Sequence, residues 1–249
     1  MTTSGTDLKR ILGPADFAPI VFEEDAGIKP PQPPLKDELQ PVFMSQAVAK
    51  NASGSSYIEV GQSRIECCVF GPQPLKGKFQ SQATVSVTVN IQPFADIPDS
   101  ASLERSTEDF VRSAMLRVIL LEKYPKSDIS ILINVISGPP TFGITMAVAT
   151  NAATMALVNS GIEMHDMVSS ACVSLIDGVI YADCEVDNAE TQVIGAFMAA
   201  KDTIVSFEVV TQVGLDSSQL VSMLDRSKEA AVQLRKIMNG YILEDYSTR

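Results

Sequence analysis

The hydrophobic pattern divides the chain into helical and extended segments. Between residues 144 and 158, Ile144, Val148, Ala152, Met155 and Ala156 recur at steps of three and four, the helical period. The remaining positions of that run are small or uncharged, so the helix is predicted to be buried on most sides. Pro139-Pro140 excludes helix just upstream, and Asn159-Ser-Gly161 supplies a C-terminal stop. A strand follows from Met167 to Ile176, with Ala171, Val173 and Leu175 on one face and a turn at Asp177-Gly178. The expectation is a helix lying on a sheet, at the centre of a two-layer core.

Around this centre the chain reads in order. Leu8-Lys-Arg-Ile-Leu-Gly-Pro14 is a short amphipathic piece, and Gly27-Ile-Lys-Pro-Pro-Gln-Pro-Pro34 favours extended backbone. Residues 1–44 are accordingly read as an N-terminal anchor and Pro-rich arm, and residues 45–249 as the folded domain. Residues 53–91 read as a β-meander, with turns at Gly61-Gln62 and Gly71-Pro72. Leu103, Thr107, Phe110, Ala114, Val118 and Leu121 form a helical stripe over Ser100 to Tyr124, with Ser100 or Ser102 as the cap and Tyr124-Pro125 as the stop. Ile129 to Ile136 reads as a buried strand. Three strands follow over 179–183, 191–199 and 203–212, and then a helix from Asp216 to about Leu243 that buries Leu220, Leu224, Ala231, Leu234, Met238 and Tyr241. This succession predicts a mixed α+β fold.

Composition supports a globular domain, since 45% of the 249 residues are hydrophobic. The four cysteines, at 67, 68, 172 and 184, lack Cys-x-x-Cys spacing and are expected to be free, mostly buried thiols. No basic segment followed by an apolar one opens the sequence, so no secretory leader is expected. Residues 129–162 are uncharged and long enough on paper to span a bilayer. The Gly138-Pro139-Pro140 break and Asn134, Asn151 and Asn159 point instead to a buried strand, turn and helix.

Charge narrows the functional classes. The formal net charge of -11 argues against a free-standing, high-affinity nucleic-acid binder. Residues 1–128 hold 13 Lys plus Arg against 16 acids, whereas residues 129–249 hold 6 against 14. Between Lys126 and Lys201 there is no Lys or Arg, so a site built from that stretch lacks its own phosphate clamp.

Tests for catalytic chemistry mostly fail. His165 is the only histidine, which excludes a His-based metal cluster and leaves a Ser-His-Asp triad resting on one loop residue. Asp183, Glu185, Asp187 and Glu190 could hold Mg²⁺ if they converged, but a solvated acidic hairpin is the reading adopted. Gly71 to Lys78 resembles a phosphate loop with the wrong spacing and with Phe79 where Ser or Thr is needed. No metal site and no cofactor are expected.

Several pieces, taken in order, change this picture. Leu8 to Pro14, Gly54-Ser-Ser-Tyr-Ile-Glu-Val60 with Val69-Phe-Gly-Pro72, Tyr124-Pro-Lys-Ser127, Ala156 to Val168 and Tyr181-Ala-Asp-Cys-Glu185 resemble the RNase PH family over roughly residues 45–240, and within it the ring subunits of the eukaryotic exosome. The resemblance implies an RNase PH-like mixed sheet with helices packed on it. It also implies a phosphate-gripping arginine before the central helix and a metal-binding aspartate after the acidic hairpin. Those positions fall at about Met146, beside Thr145, and at about Gln192, both uncharged; Arg105 matches a second phosphate-region arginine. Phosphorolysis needs charge at both places, so no catalytic residue is assigned, and a catalytically dead subunit is expected; the alternative is an active phosphate-dependent exoribonuclease with a displaced site. The partners implied are paralogous RNase PH-like subunits in a six-membered hetero-oligomeric ring, RNA-binding cap subunits, an associated nuclease and RNA passing through the ring. The locations implied are nucleus, nucleolus and cytoplasm. If the subunit touches that RNA, the candidates are the bases of the first half: Arg64, Lys76, Lys78, Arg105 and Arg112.

Overall fold

In a computed structural model the described residues are 39–76, 80–95, 97, 99–139, 142–176, 178–183, 189, 191–198, 200–211, 214 and 216–248. The elements in chain order are β1 (Val42–Gln46), β2 (Gly54–Val60), β3 (Ser63–Pro74), β4 (Thr84–Ile91), α1 (Ser100–Val118), β5 (Ser127–Ser137), α2 (Phe142–Ser160), β6 (Val168–Ile176), β7 (Val179–Ala182), β8 (Thr191–Met198), β9 (Thr203–Thr211) and α3 (Ser217–Thr248). Single 3₁₀ turns lie at Pro93–Ala95 and Leu121–Lys123. Residues 1–38 of the arm and anchor lie outside the described residues. Strand β1 begins before residue 45, so extended structure starts within the last residues that composition placed in the arm.

The strands form two sheets, one of five strands in the order β1-β2-β3-β5-β4 and one of four in the order β7-β6-β8-β9. The expected meander holds for β2 and β3, which pair antiparallel around Gly61. It fails for β4, which pairs parallel with β5, Val85 opposite Ile129 and Val89 opposite Ile133. Adjacent parallel strands need a crossover, and α1 supplies it, so β4, α1 and β5 form one βαβ unit. Helix α1 ends at Val118, six residues short of the expected stop. Ile119 turns extended, and its N–H donates to the Met115 carbonyl. Asp99, in the left-handed region, stands at the N-cap in place of either serine.

Helix α2 packs on β2 and β3 of the first sheet and on β6 and β8 of the second. A helix between two sheets has no solvent face, which is why Gly143 through Leu157 are all buried and why no face of it carries charge. The two-layer expectation is thereby replaced by sheet, helices, sheet and an outer helix. Among the described residues α2 alone is long and apolar enough to cross a membrane, by length and composition, and it is the core helix. Ile144, Met146, Met155 and Leu157 are fully buried there, each contributing about 1.5–3 kcal/mol by transfer. Gly161, at φ 73°, supplies the left-handed stop, and its N–H donates to the Val158 carbonyl at 3.1 Å.

Every residue of β6 except Ile176 is buried, because both of its faces are covered. Ala171, Val173 and Leu175 do share a face, but it lies against Met223, Ala230, Ala231 and Leu234 of α3. The opposite face, with Val168 and Cys172, lies in the core around α2. In β5, Ile129, Ile131, Ile133 and Val135 point into that core while the alternate residues are half-buried, since the first sheet has helices on one side only.

Candidate functional site

The place where the family resemblance puts chemistry is the start of α2. The first turn of a helix leaves N–H groups without helical acceptors, and the Gly143 N–H donates to Gln192 Oε1 at 3.1 Å. Gln192, from β8, is 5% exposed. Only glycine fits at 143, because a Cβ there would lie 2.4 Å from Cys172 Sγ and 3.0 Å from Gln192 Oε1. The β6–β8 floor therefore comes up directly under the helix start. Met146, one turn in, is fully buried among the apolar residues between the sheets. Thr145 Oγ1 faces the other way, toward Gly138, where a Cβ would come within 3.2 Å of it and within 3.3 Å of Ile97. The N-terminal ends of α1 and α2 thus lie side by side.

Asp183, at the end of β7, joins the same floor through Cys172. Its N–H donates to the Cys172 carbonyl at 2.9 Å, its own carbonyl accepts from Gln40 Nε2 at 2.9 Å, and the residue is buried with φ at 55°. Glu185, Asp187 and Glu190 lie outside the described residues. Among the described residues no group of three or more His, Cys, Asp or Glu could hold a metal ion. What converges at the start of α2 is thus a neutral amide, a thiol, small side chains and one buried aspartate, a set that can donate and accept hydrogen bonds but offers no cation to an anionic substrate.

His165 sits exposed in the loop after α2, its backbone N–H donating to the Val118 carbonyl at 2.8 Å. Its imidazole has no hydrogen-bond partner among the described residues. Cys67 and Cys172 are fully buried and Cys68 nearly so, and none of the three is in a disulfide; Cys184 lies outside the described residues. Burial pushes the Cys67 thiol well above its ordinary pKa, with Cys68 and Glu66 adding to the rise. It is therefore an inert neutral thiol.

Four of the five candidate RNA contacts lie among the described residues. Arg64 is on the outer face of the first sheet and already engages Glu59 at 3.1 Å. Lys76 is exposed beyond β3, in a loop whose Leu75 N–H donates to the Lys126 carbonyl at 3.0 Å. Lys78 lies outside the described residues. Arg105 and Arg112 are exposed on α1; being seven residues apart, they share a stripe of that helix.

Two polar features gave no sequence signal. Glu104 and Glu108, one turn apart on α1, accept the Ile91 and Val89 N–H groups, each at 2.9 Å, and so cover part of the free edge of β4. Asp166 and Arg235 form a bidentate pair at 2.6 and 2.7 Å, and Asp166 also accepts the Ala200 N–H at 2.9 Å. Burial raises the Asp166 carboxyl, but the Arg235 hydrogen bonds and the backbone donors outweigh it and leave its pKa below the ordinary value.

Residues 38–163 match the sequence model of the 3′ exoribonuclease family, domain 1 (RNase PH). The exosome complex component Rrp41 of Pyrococcus horikoshii is 35% identical over 184 residues, 68% of this chain and 71% of that protein. The Rrp41 of Archaeoglobus fulgidus is 29% identical over 223 residues, 84% of each. Among solved structures, rice (Oryza sativa) Rrp46 matches with a TM-score of 0.71 at 19% identity, covering 82% of this chain and 96% of that one. An archaeal exosome core chain matches with a TM-score of 0.69 at 16% identity, covering 82% and 88%. At those identities the structural matches establish the fold.

Proposed function

The chain belongs to the RNase PH 3′ exoribonuclease family, and from that premise we propose that it is a non-catalytic ring subunit of the RNA exosome, supporting 3′-to-5′ RNA processing and degradation by an associated nuclease. Within the family its N-terminal Leu-Gly-Pro14 and Tyr124-Pro-Lys-Ser127 pieces resemble the exosome subunit known as the mRNA transport regulator. Ring membership rests on the relatives, which are named as exosome components. The partners follow from it: paralogous RNase PH-like subunits in a six-membered ring, RNA-binding cap subunits, a nuclease, and RNA threading the ring. The location proposed is nucleus, nucleolus and cytoplasm, which a fluorescent fusion tests.

The non-catalytic reading is carried by one observation. The Gln192 amide oxygen is committed to the Gly143 N–H, so the group standing where the resemblance puts an acidic metal ligand is neutral, buried and used to close the helix start. Met146 supports it: an arginine buried at that position would require an anion beside it, and the thioether lies among apolar side chains instead. A phosphoryl acceptor would find neither cation nor metal ligand from α2 or β8.

The opposing reading, an active phosphate-dependent exoribonuclease, draws on Asp183 and Arg105. One assay separates them. Purified chain, alone and with its ring partners, is incubated with RNA, inorganic phosphate and Mg²⁺. The expected result is no nucleoside diphosphate. Phosphate-dependent release that vanishes on Asp183→Asn overturns the proposal.

A further inference from the structure

Helix α1 stands between two sheet edges and treats them differently. Strand β4 ends the first sheet and β9 ends the second, and α1 packs on both. Toward β4 it sends Glu104 and Glu108, which accept the Ile91 and Val89 N–H groups. Toward β9 no carboxylate among the described residues does this. Asp109, Ser113 and Arg117 follow at four-residue steps and so share one flank of α1, and Arg117 donates to the Val205 carbonyl at 2.6 Å, at the bulge near the start of β9. From Ser206 to Val210 nothing among the described residues bonds to the outer edge. An antiparallel strand turns every second N–H and C=O away from its neighbour, so that edge keeps open groups. The two faces of β9 also differ in chemistry. Ile204 lies opposite Phe197, which packs on α3, and Ile204 and Phe207 are 47% and 41% exposed. Glu208 lies opposite Ile194, whose side chain is in the core around α2, and so faces α1. Burial and the Asp109 carboxylate push the Glu208 pKa above its ordinary value, and no basic side chain offsets them. Neither carboxylate has an ion-pair partner among the described residues, although Arg105 and Arg112 lie within about a turn of Asp109 on α1.

We propose that the open edge of β9 receives an extended protein segment in which Lys or Arg alternates with Val or Ile. Main-chain hydrogen bonds would add that segment to the four-stranded sheet as a further strand. Successive side chains of a strand point to opposite faces, so one set of the incoming side chains lies beside Glu208 and Asp109 and the other beside Ile204 and Phe207. Charge complementarity selects cations for the first set, because two neighbouring carboxylates without a counter-ion repel each other until one arrives. Exposed apolar groups select the second set, since covering them removes apolar surface from water. A nucleic acid fits less well, as its phosphates would meet the same two carboxylates. The inference stands apart from ring membership and from whether the chain is catalytic.

The test uses the full-length chain and a fluorescein-labelled, end-blocked octapeptide of alternating Lys and Val, titrated by anisotropy. Saturable binding with a midpoint below about 1 mM is expected, and amide exchange should slow at residues 206–210 when the peptide is bound. The fully N-methylated peptide keeps the charge and both sets of side chains but donates no main-chain hydrogen bond, and it should not saturate. The alternating Lys-Ser octapeptide should bind about tenfold more weakly, and so should the parent peptide to the Asp109→Asn, Glu208→Gln double variant. That variant should melt no lower than the parent chain, because it removes a like-charge contact. Absence of saturation, unchanged exchange at 206–210, undiminished binding by the double variant, or equal binding of the N-methylated peptide or of a peptide with all its Lys before all its Val overturns the proposal. So does oligouridine that slows exchange at the same residues, which would make the edge a nucleic-acid site.

Discussion

Replacing Arg235 by Met removes the guanidinium from Asp166 while keeping an apolar stem of similar length on α3. The Asp166 side chain is 8% exposed and that of Arg235 19%, and the pair is bidentate. Breaking a buried pair costs about 3–5 kcal/mol and an exposed one about 0–1 kcal/mol. With the Ala200 N–H still bound to Asp166 and a fifth of Arg235 in solvent, the expected loss is about 2–3 kcal/mol. For a chain of this size that lowers Tm by roughly 4–10 °C. Urea unfolding followed by far-ultraviolet circular dichroism at neutral pH measures it, with Asp166→Asn and the double variant completing a cycle whose coupling should be about 1–3 kcal/mol. The pH dependence has a definite sign. The folded carboxyl has a depressed pKa, so the pair's contribution is complete above the unfolded value near ~3.9 and disappears as pH falls through the folded value. The gap between parent and variant should stay constant from neutral pH to about 5 and narrow below about 4. A variant within about 0.5 kcal/mol of the parent, or a gap unchanged down to about pH 3, would refute the assignment of this pair as the clasp between the α2–β6 loop and α3.

Gly54→Ala places a Cβ 2.4 Å from both the Ala156 carbonyl oxygen and the Ser160 nitrogen; because both obstacles are backbone, a loss above about 3 kcal/mol or failure to accumulate as soluble protein is expected, and a parent-like melt would contradict the close approach of β2 to α2. Glu104→Gln and Glu108→Gln weaken the charge-assisted bonds to the β4 edge, each costing about 1 kcal/mol, with faster amide exchange at Ile91 and Val89 as the local readout. Replacing Lys76 and Lys78 by Ala in the assembled complex should lower RNA affinity and reduce the salt slope by about one unit or less per lysine; an unchanged slope removes this loop from the RNA path.

The sequence by itself determined most of the elements. A helical period with small residues on every face requires a partner on every side, so the burial of α2 and its stop at Gly161 were readable from residues 144–161. The family was readable as well, from short pieces whose order mattered more than any one of them. The uncharged character of positions 146 and 192 followed from the letters alone. Tertiary structure decided the rest, because strand order and side-chain partnerships depend on contacts between residues far apart in sequence. Nothing local in 84–91 distinguishes a third meander strand from the first strand of a βαβ unit; the α1 crossover decides it, by carrying the chain back to start β5 parallel to β4. The apolar face of β6 could be identified, but its partner is α3, some fifty residues on, and not the helix that precedes it. Gln192 reads as a neutral substitution in sequence, and only the 3.1 Å contact with Gly143 shows its amide committed to a helix start.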